Sequence, residues 1–407
     1  MSQPLQGQVV PPSAVDLSNT RFRSNPGYEL VLFDRLSHEQ QDALQGLQAD
    51  PGFYGILRPR SGASLGTKSV DQQTALLYLT MRQAGPLPQY VRRMLGQRAT
   101  DAIAELVLDG ILEVEHAGNF VSGAAATVFL ADRQSTAGAA GRNAALSIEA
   151  LKYAQALALD DVRQLSHRLY GYNREPLTPA WHRRLPTDDA VVGYLGLNRD
   201  GLNARSLSEG WIALPSGPTQ SGWRSWRSRR HRTTDHREAA TYKLYASPRG
   251  EYVPEAFDAF VASGSGTKAF AFKVGKDVYG LLRPDKLIAY FASFDDLAET
   301  AEHLRGRLDG CPAHGVPFTT GVTSDGLLSW GMDPPKSAQT PLLKHGESWR
   351  LWLTNRLARA LVDAQASSTA QVEPWEFALR RLALEGVDTN TWTPAGNIWR
   401  DDAMAEA

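Results

Sequence analysis

The chain has 407 residues, 43 Lys plus Arg against 44 Asp plus Glu, and a hydrophobic fraction of 42%. A net charge of −1 excludes a global field that would draw it to nucleic acid or to a membrane surface, so any anion recognition must be local. The lone cysteine, Cys311, excludes an intramolecular disulfide and a cysteine-rich zinc or iron-sulfur site, and no stretch approaches the roughly 18 uncharged apolar residues of a membrane span.

The length predicts two or more domains. Residues 1–19 are polar and proline-punctuated, unlike a signal peptide, and a frayed tail on a cytoplasmic protein is expected. "YELVLFDRL" reads as a strand, and "SHEQQDALQGLQAD" as a helix with Ser37 as N-cap and Gln40 three residues on. Helices follow in "SVDQQTALLYLTMRQAG", "PLPQYVRRMLG" and "RATDAIAELVLDG", then a hairpin in "ILEVEHAGNFVSG" about the His116–Asn119 turn. Three helices and a hairpin predict a small winged-helix-like domain over 20–130. Arg92 and Arg93 open a DNA-binding reading, but Asp101 and Glu105 follow them, which favours a module that binds a leader peptide or a protein partner.

The Ala, Gly, Ser and Thr-rich run 131–141 is expected to be a linker. Two helices then end in "YGYNREPLTPAW", where Tyr170, Tyr172, Asn173, Arg174 and Trp181 gather as a structural anchor or the wall of a site. The segment 223–237, with Arg224, Arg227, Arg229, Arg230, Arg232 and Arg237 among Trp223 and Trp226, has no apolar periodicity and is expected to be a long loop over the site. Beyond it strands and helices mix, and Trp349, Leu353, Leu357 and Leu361 recur at every fourth position of a late core helix. The fold class expected is α+β, with the larger mixed domain over 142–407.

Lys243, Lys273, Lys286 and Arg283 fall among strand-like residues, and His314 sits in the restricted turn "AHGVPF". Clustered cations lower one another's affinity for protons, so one lysine can become a neutral base while the rest hold an anion. A histidinium beside a phosphate is suited to protonate a departing oxygen. These residue types suit removal of a proton α to a carbonyl with loss of phosphate from the β carbon. A thiol role for Cys311 and solvated strand-edge lysines are the competing readings; no nucleotide-binding loop or metal-ligand spacing occurs.

"YKLYASPRGEYVPEAFDAF", "FKVGKDVYGLLRPDKLIAYF", "PAHGVPFTTG", "GLLSWGMDPP" and "SWRLWLTNRLA" resemble the Hop-type (A-one) type III effector family, and in particular its stand-alone members in class V lanthipeptide and thioamitide biosynthesis. The resemblance is dense from Tyr242 to Pro335, and the first 130 residues match only loosely. It implies a metal-independent phosphothreonine/phosphoserine lyase without a cofactor. A separate aminoglycoside-phosphotransferase-like kinase would phosphorylate a ribosomally made precursor peptide and form a complex with this chain. By motif position it implies Lys243 as base, His314 as acid, and Lys273, Arg283, Lys286, Arg249 and Tyr245 around the phosphate and substrate, with Lys243 able to exchange roles with Lys273 or Lys286. A non-catalytic phosphopeptide-binding scaffold or kinase-activating subunit would use the same pocket.

Overall fold

The computed structural model describes residues 20–50, 52–61, 65–96, 99–130, 140–215, 222–230, 241–263, 268–334, 346–365, 372–395 and 398. The tail expected over 1–19, most of the linker expected over 131–141, and residues 231–237 of the basic segment lie outside them. The fold is α+β. Among the described residues, no helix is long and apolar enough to cross a membrane.

Alternation of side chains builds the central element. Seven antiparallel strands form one sheet in the order Thr320–Gly321, Leu328–Asp333, Thr241–Ala246, Leu287–Phe291, Ala271–Gly275, Trp223–Ser228, Trp211–Leu214. Because successive residues point to opposite faces, Leu244, Ala246, Phe272, Val274, Leu287, Ala289 and Trp330 fall on one side. There they pack with the helices Val253–Ser263 and Phe294–Arg307 into one core. The other side carries the polar residues described below.

Trp223–Ser228 is a strand, where the sequence led us to expect a loop. Trp226 provides the reason: its ring stacks on Phe272 at 4.8 Å inside the core. That burial of two aromatic surfaces outweighs the exposure of Arg227 on the same strand.

The first 130 residues hold the expected helices, at Gln72–Thr80, Gln89–Leu95 and Ala99–Leu108, and the hairpin Leu112–His116/Asn119–Val121. The Ser37 capping box forms as read. Tyr28, Leu57, Val70, Ala75, Tyr78 and Ile111 make a cluster of their own, and other apolar residues join a larger core. Phe22, Val91, Ile103 and Leu112 belong to one cluster with Leu151, Leu165, Trp349, Leu357 and Phe377. Arg381 Nε to Asp109 at 2.9 Å and Lys68 to Asp363 at 3.1 Å tie the same surfaces together. The N-terminal region therefore rests on the helices Arg142–Ala156, Trp349–Gln365 and Pro374–Leu384.

Candidate active site

On the polar face of the sheet, register sets the neighbours. Lys243 lies opposite Tyr290 and Gly331, Tyr245 opposite Ile288 and Ser329, and Lys273 opposite Ile288 and Ser225. Lys286 precedes Ile288 by two and shares this face. The helix Trp349–Gln365 closes over it, with Trp349 so near Gly331 that a Cβ there would lie 2.3 Å from the indole.

Lys273 and Arg283 converge on one indole, 4.3 Å and 4.8 Å from the Trp223 ring centre. Arg283 is fixed from behind: its Nε and Nη2 donate to the two oxygens of Asp285 at 2.8 and 3.0 Å. Asp285 is fully buried and also meets Arg350 Nη1 at 3.0 Å and the Tyr170 hydroxyl at 3.2 Å. Burial alone would push the Asp285 carboxyl upward, but Arg283 and Arg350 hold it well below the ordinary range. Arg350 is itself anchored, donating to the carbonyls of Pro317 at 3.0 Å and Tyr170 at 2.8 Å.

Lys243 and Lys273 differ in their partners. Lys243 is buried and paired with Asp333 at 2.5 Å. Lys273 has no hydrogen-bond or ion-pair partner among the described residues. Burial first, then the charges of Lys243 and Arg283, bring its amine down to about 7. Tyr245 is buried across Ile288 from it, with its hydroxyl unpaired among the described residues. Burial and the nearby Asp333 carboxylate keep that phenol protonated. The face thus offers one amine without an ion pair among the described residues, a fixed guanidinium, a second lysine paired with Asp333 and a phenolic donor.

Lys286 and His314 form a second, separate cluster. Lys286 Nζ is fully buried and donates to the Pro248 carbonyl at 2.7 Å, to Glu175 at 3.0 Å and to His314 Nδ1 at 3.0 Å. Glu175 also accepts from the Gly250 amide at 3.0 Å. Burial and the adjacent Lys286 push the His314 imidazole down to about 3; burial lowers Lys286 to about 8, with Glu175 opposing. A neutral imidazole that accepts from an ammonium has no proton to give on that nitrogen. Arg249 is exposed at the rim, its amide bonded to the Pro312 carbonyl at 2.8 Å.

The structure therefore gathers Lys243, Tyr245, Lys273 and Arg283, while Lys286 and His314 meet around Glu175. Trp223, Asp285, Asp333 and Arg350 were not read as site residues. Asp285 stands inside "LLRPDK", two residues from the Arg283 it holds, which is the signal that could have found it; Asp333 lies far in sequence from Lys243 and carried no such signal. Cys311 is buried and its thiol is pushed up to about 11, so it is held as the unreactive thiol. Among the described residues no group of three His, Cys, Asp or Glu could hold a metal ion.

No family model and no curated protein matches the chain. Solved structures similar to it include type III effectors. An effector protein from Pseudomonas syringae pv. syringae strain 61 is 14% identical, over 61% of this chain and 96% of that one, with a TM-score of 0.39. One from Pseudomonas syringae pv. tomato strain DC3000 is 13% identical, over 62% and 99%, at 0.37. The type III effector/phosphothreonine lyase OspF from Shigella flexneri is 12% identical, over 44% and 90%, at 0.25.

Proposed function

We propose that this chain eliminates phosphate from phosphothreonine or phosphoserine in a peptide, leaving dehydrobutyrine or dehydroalanine. The observation that carries the reading is the Lys273 amine, without a hydrogen-bond or ion-pair partner among the described residues, brought to about 7 and set beside an arginine fixed by a buried carboxylate.

In this reading Lys273 Nζ takes the α proton. The C–H electrons become the Cα=Cβ bond, and the Cβ–O bond breaks with its electrons on the leaving phosphate. Arg283 and the Lys243 ammonium meet the charge of the phosphate oxygens. The Tyr245 hydroxyl donates to the departing oxygen and recovers a proton from solvent. Lys273 thus takes the base role expected first of Lys243, which is bound to Asp333. The substrate would be a ribosomally made precursor peptide phosphorylated by a separate kinase, which supplies the phosphoester this site consumes. Each charge that develops is met by a side chain, so phosphate release is expected to continue in the presence of EDTA.

The test is incubation with a phosphothreonine peptide, following phosphate release and the mass loss of phosphoric acid. Binding without release would instead mark a phosphopeptide scaffold. His314→Gln, which keeps an acceptor for Lys286, is expected to retain kcat/KM within about tenfold. Loss of a general acid would cost about 10²–10⁴-fold, and a drop of that size would return His314 to the acid role.

A further inference from the structure

The segment Tyr170–Glu175 has two sides. Tyr170 and Glu175 turn inward, to Asp285 and Lys286. Between them Asn173 adopts a positive φ of 64° and donates to the Gly315 carbonyl at 3.1 Å, which fixes the backbone against the site. Tyr172 and Arg174 turn outward and line a surface hollow with Tyr153, His167 and Arg168.

That hollow is cationic and aromatic. The Tyr153 and Tyr172 rings lie 5.4 Å apart with Tyr153 39% exposed. His167 and Arg168 occupy the last turn of the helix Val162–Tyr170, where positive charge also suits the helix dipole. The dipole does not account for Arg174, which lies beyond the helix and bonds the Tyr279 carbonyl at 2.6 Å. Burial lowers the Arg174 pKa first, and the charge of Arg283 lowers it further. Arg174 therefore stands within electrostatic reach of the phosphate-binding arginine while lining the hollow. The segment Tyr170–Glu175 thus borders the site with its inward residues and the hollow with its outward ones. Among the described residues no carboxylate lines the hollow itself; from outside it Glu149 reaches Tyr172, and Asp285 and Asp277 act on Arg174 against Arg283.

We infer that this hollow holds an acidic stretch of the peptide substrate flanking the phosphorylated residue, with carboxylates on Arg168 and Arg174 and the peptide backbone over the tyrosine pair. The inference rests on the lyase reading, since it gives the hollow a place beside the phosphate. Charge would then select the substrate as well as hold the leaving group.

Two phosphothreonine peptides that differ only in Glu or Gln at the flanking positions test it. The wild type is expected to favour the Glu peptide about three- to tenfold in kcat/KM at low salt, the size of two or three exposed ion pairs. In Arg168→Glu the preference is expected to vanish or invert, and in the wild type to shrink as salt rises. Equal rates for the two peptides, or a preference that survives Arg168→Glu, would overturn the hollow. If no peptide loses phosphate the lyase reading fails instead. Fluorescence anisotropy of the same labelled peptides then decides on the hollow alone: tighter binding of the Glu peptide, lost in Arg168→Glu, upholds it, and equal binding overturns it.

Discussion

Lys273→Met is expected to lower phosphate release by about 10²–10⁴-fold, the usual contribution of a positioned base, and at the same time to make the folded protein more stable. The two effects have one origin. Lys273 is largely buried, has no ion-pair partner among the described residues and faces Lys243 and Arg283, so its ammonium is disfavoured and the amine falls to about 7. The sign follows from linkage. The unfolded chain holds the lysine proton up to the ordinary value of 10.5, so between about 7 and 10.5 the unfolded state binds more protons and wild-type stability rises with pH. Below about 7 the charged lysine destabilises the fold in full. Methionine fills the same volume without charge, so Lys273→Met should melt above the wild type, by a margin wider at pH 6 than at pH 9. Wild-type kcat should rise through a midpoint near 7 as the free amine appears. Thermal melts at the two pH values and a pH–rate profile test both. A variant that melts below the wild type at pH 6, or a rate independent of pH from 6 to 8, would remove Lys273 from the base role.

What the sequence disclosed is the part that depends on near neighbours. Alternation in "YKLYA", "FKVG" and "LIAYF" already puts Lys243, Tyr245 and Lys273 on one face and the apolar residues on the other, and the Ser37 cap and the Trp349 helix are equally local. The ranking of the lysines was not legible. It depends on Asp333 reaching Lys243 and on nothing reaching Lys273 among the described residues, and both follow only from sheet pairing. His314 shows the same limit: its turn was readable, but its lowered pKa comes from burial and from Lys286, which the chain brings from a distant segment. The Trp223 strand was hidden because arginines broke the apolar pattern, and only the stacking of Trp226 on Phe272 reveals why it pairs.

Asp285→Asn is the substitution expected to damage the fold most. Asp285 is the one carboxylate the described residues set between Arg283 and Arg350, it is 1% exposed, and it also accepts from Tyr170. Its carboxyl is held below the ordinary range, so it stabilises the fold at every pH above that range and the contribution fades only in strong acid. Asparagine keeps the shape but leaves the buried Arg350 and the half-buried Arg283 without this counter-charge, and uncovering a buried charge typically costs about 3–5 kcal/mol. Urea unfolding at pH 7 measures this, and a difference under about 1 kcal/mol would show that the arginines find other partners. Activity should fall for a second reason. Arg283 loses the two-point bond that aims it, so inorganic phosphate should inhibit the variant at least about tenfold more weakly than the wild type. If Asp285→Asn lost stability yet kept its affinity for phosphate, Arg283 would be a structural arginine, and the leaving group would have to be held by Lys243 and Lys273 alone.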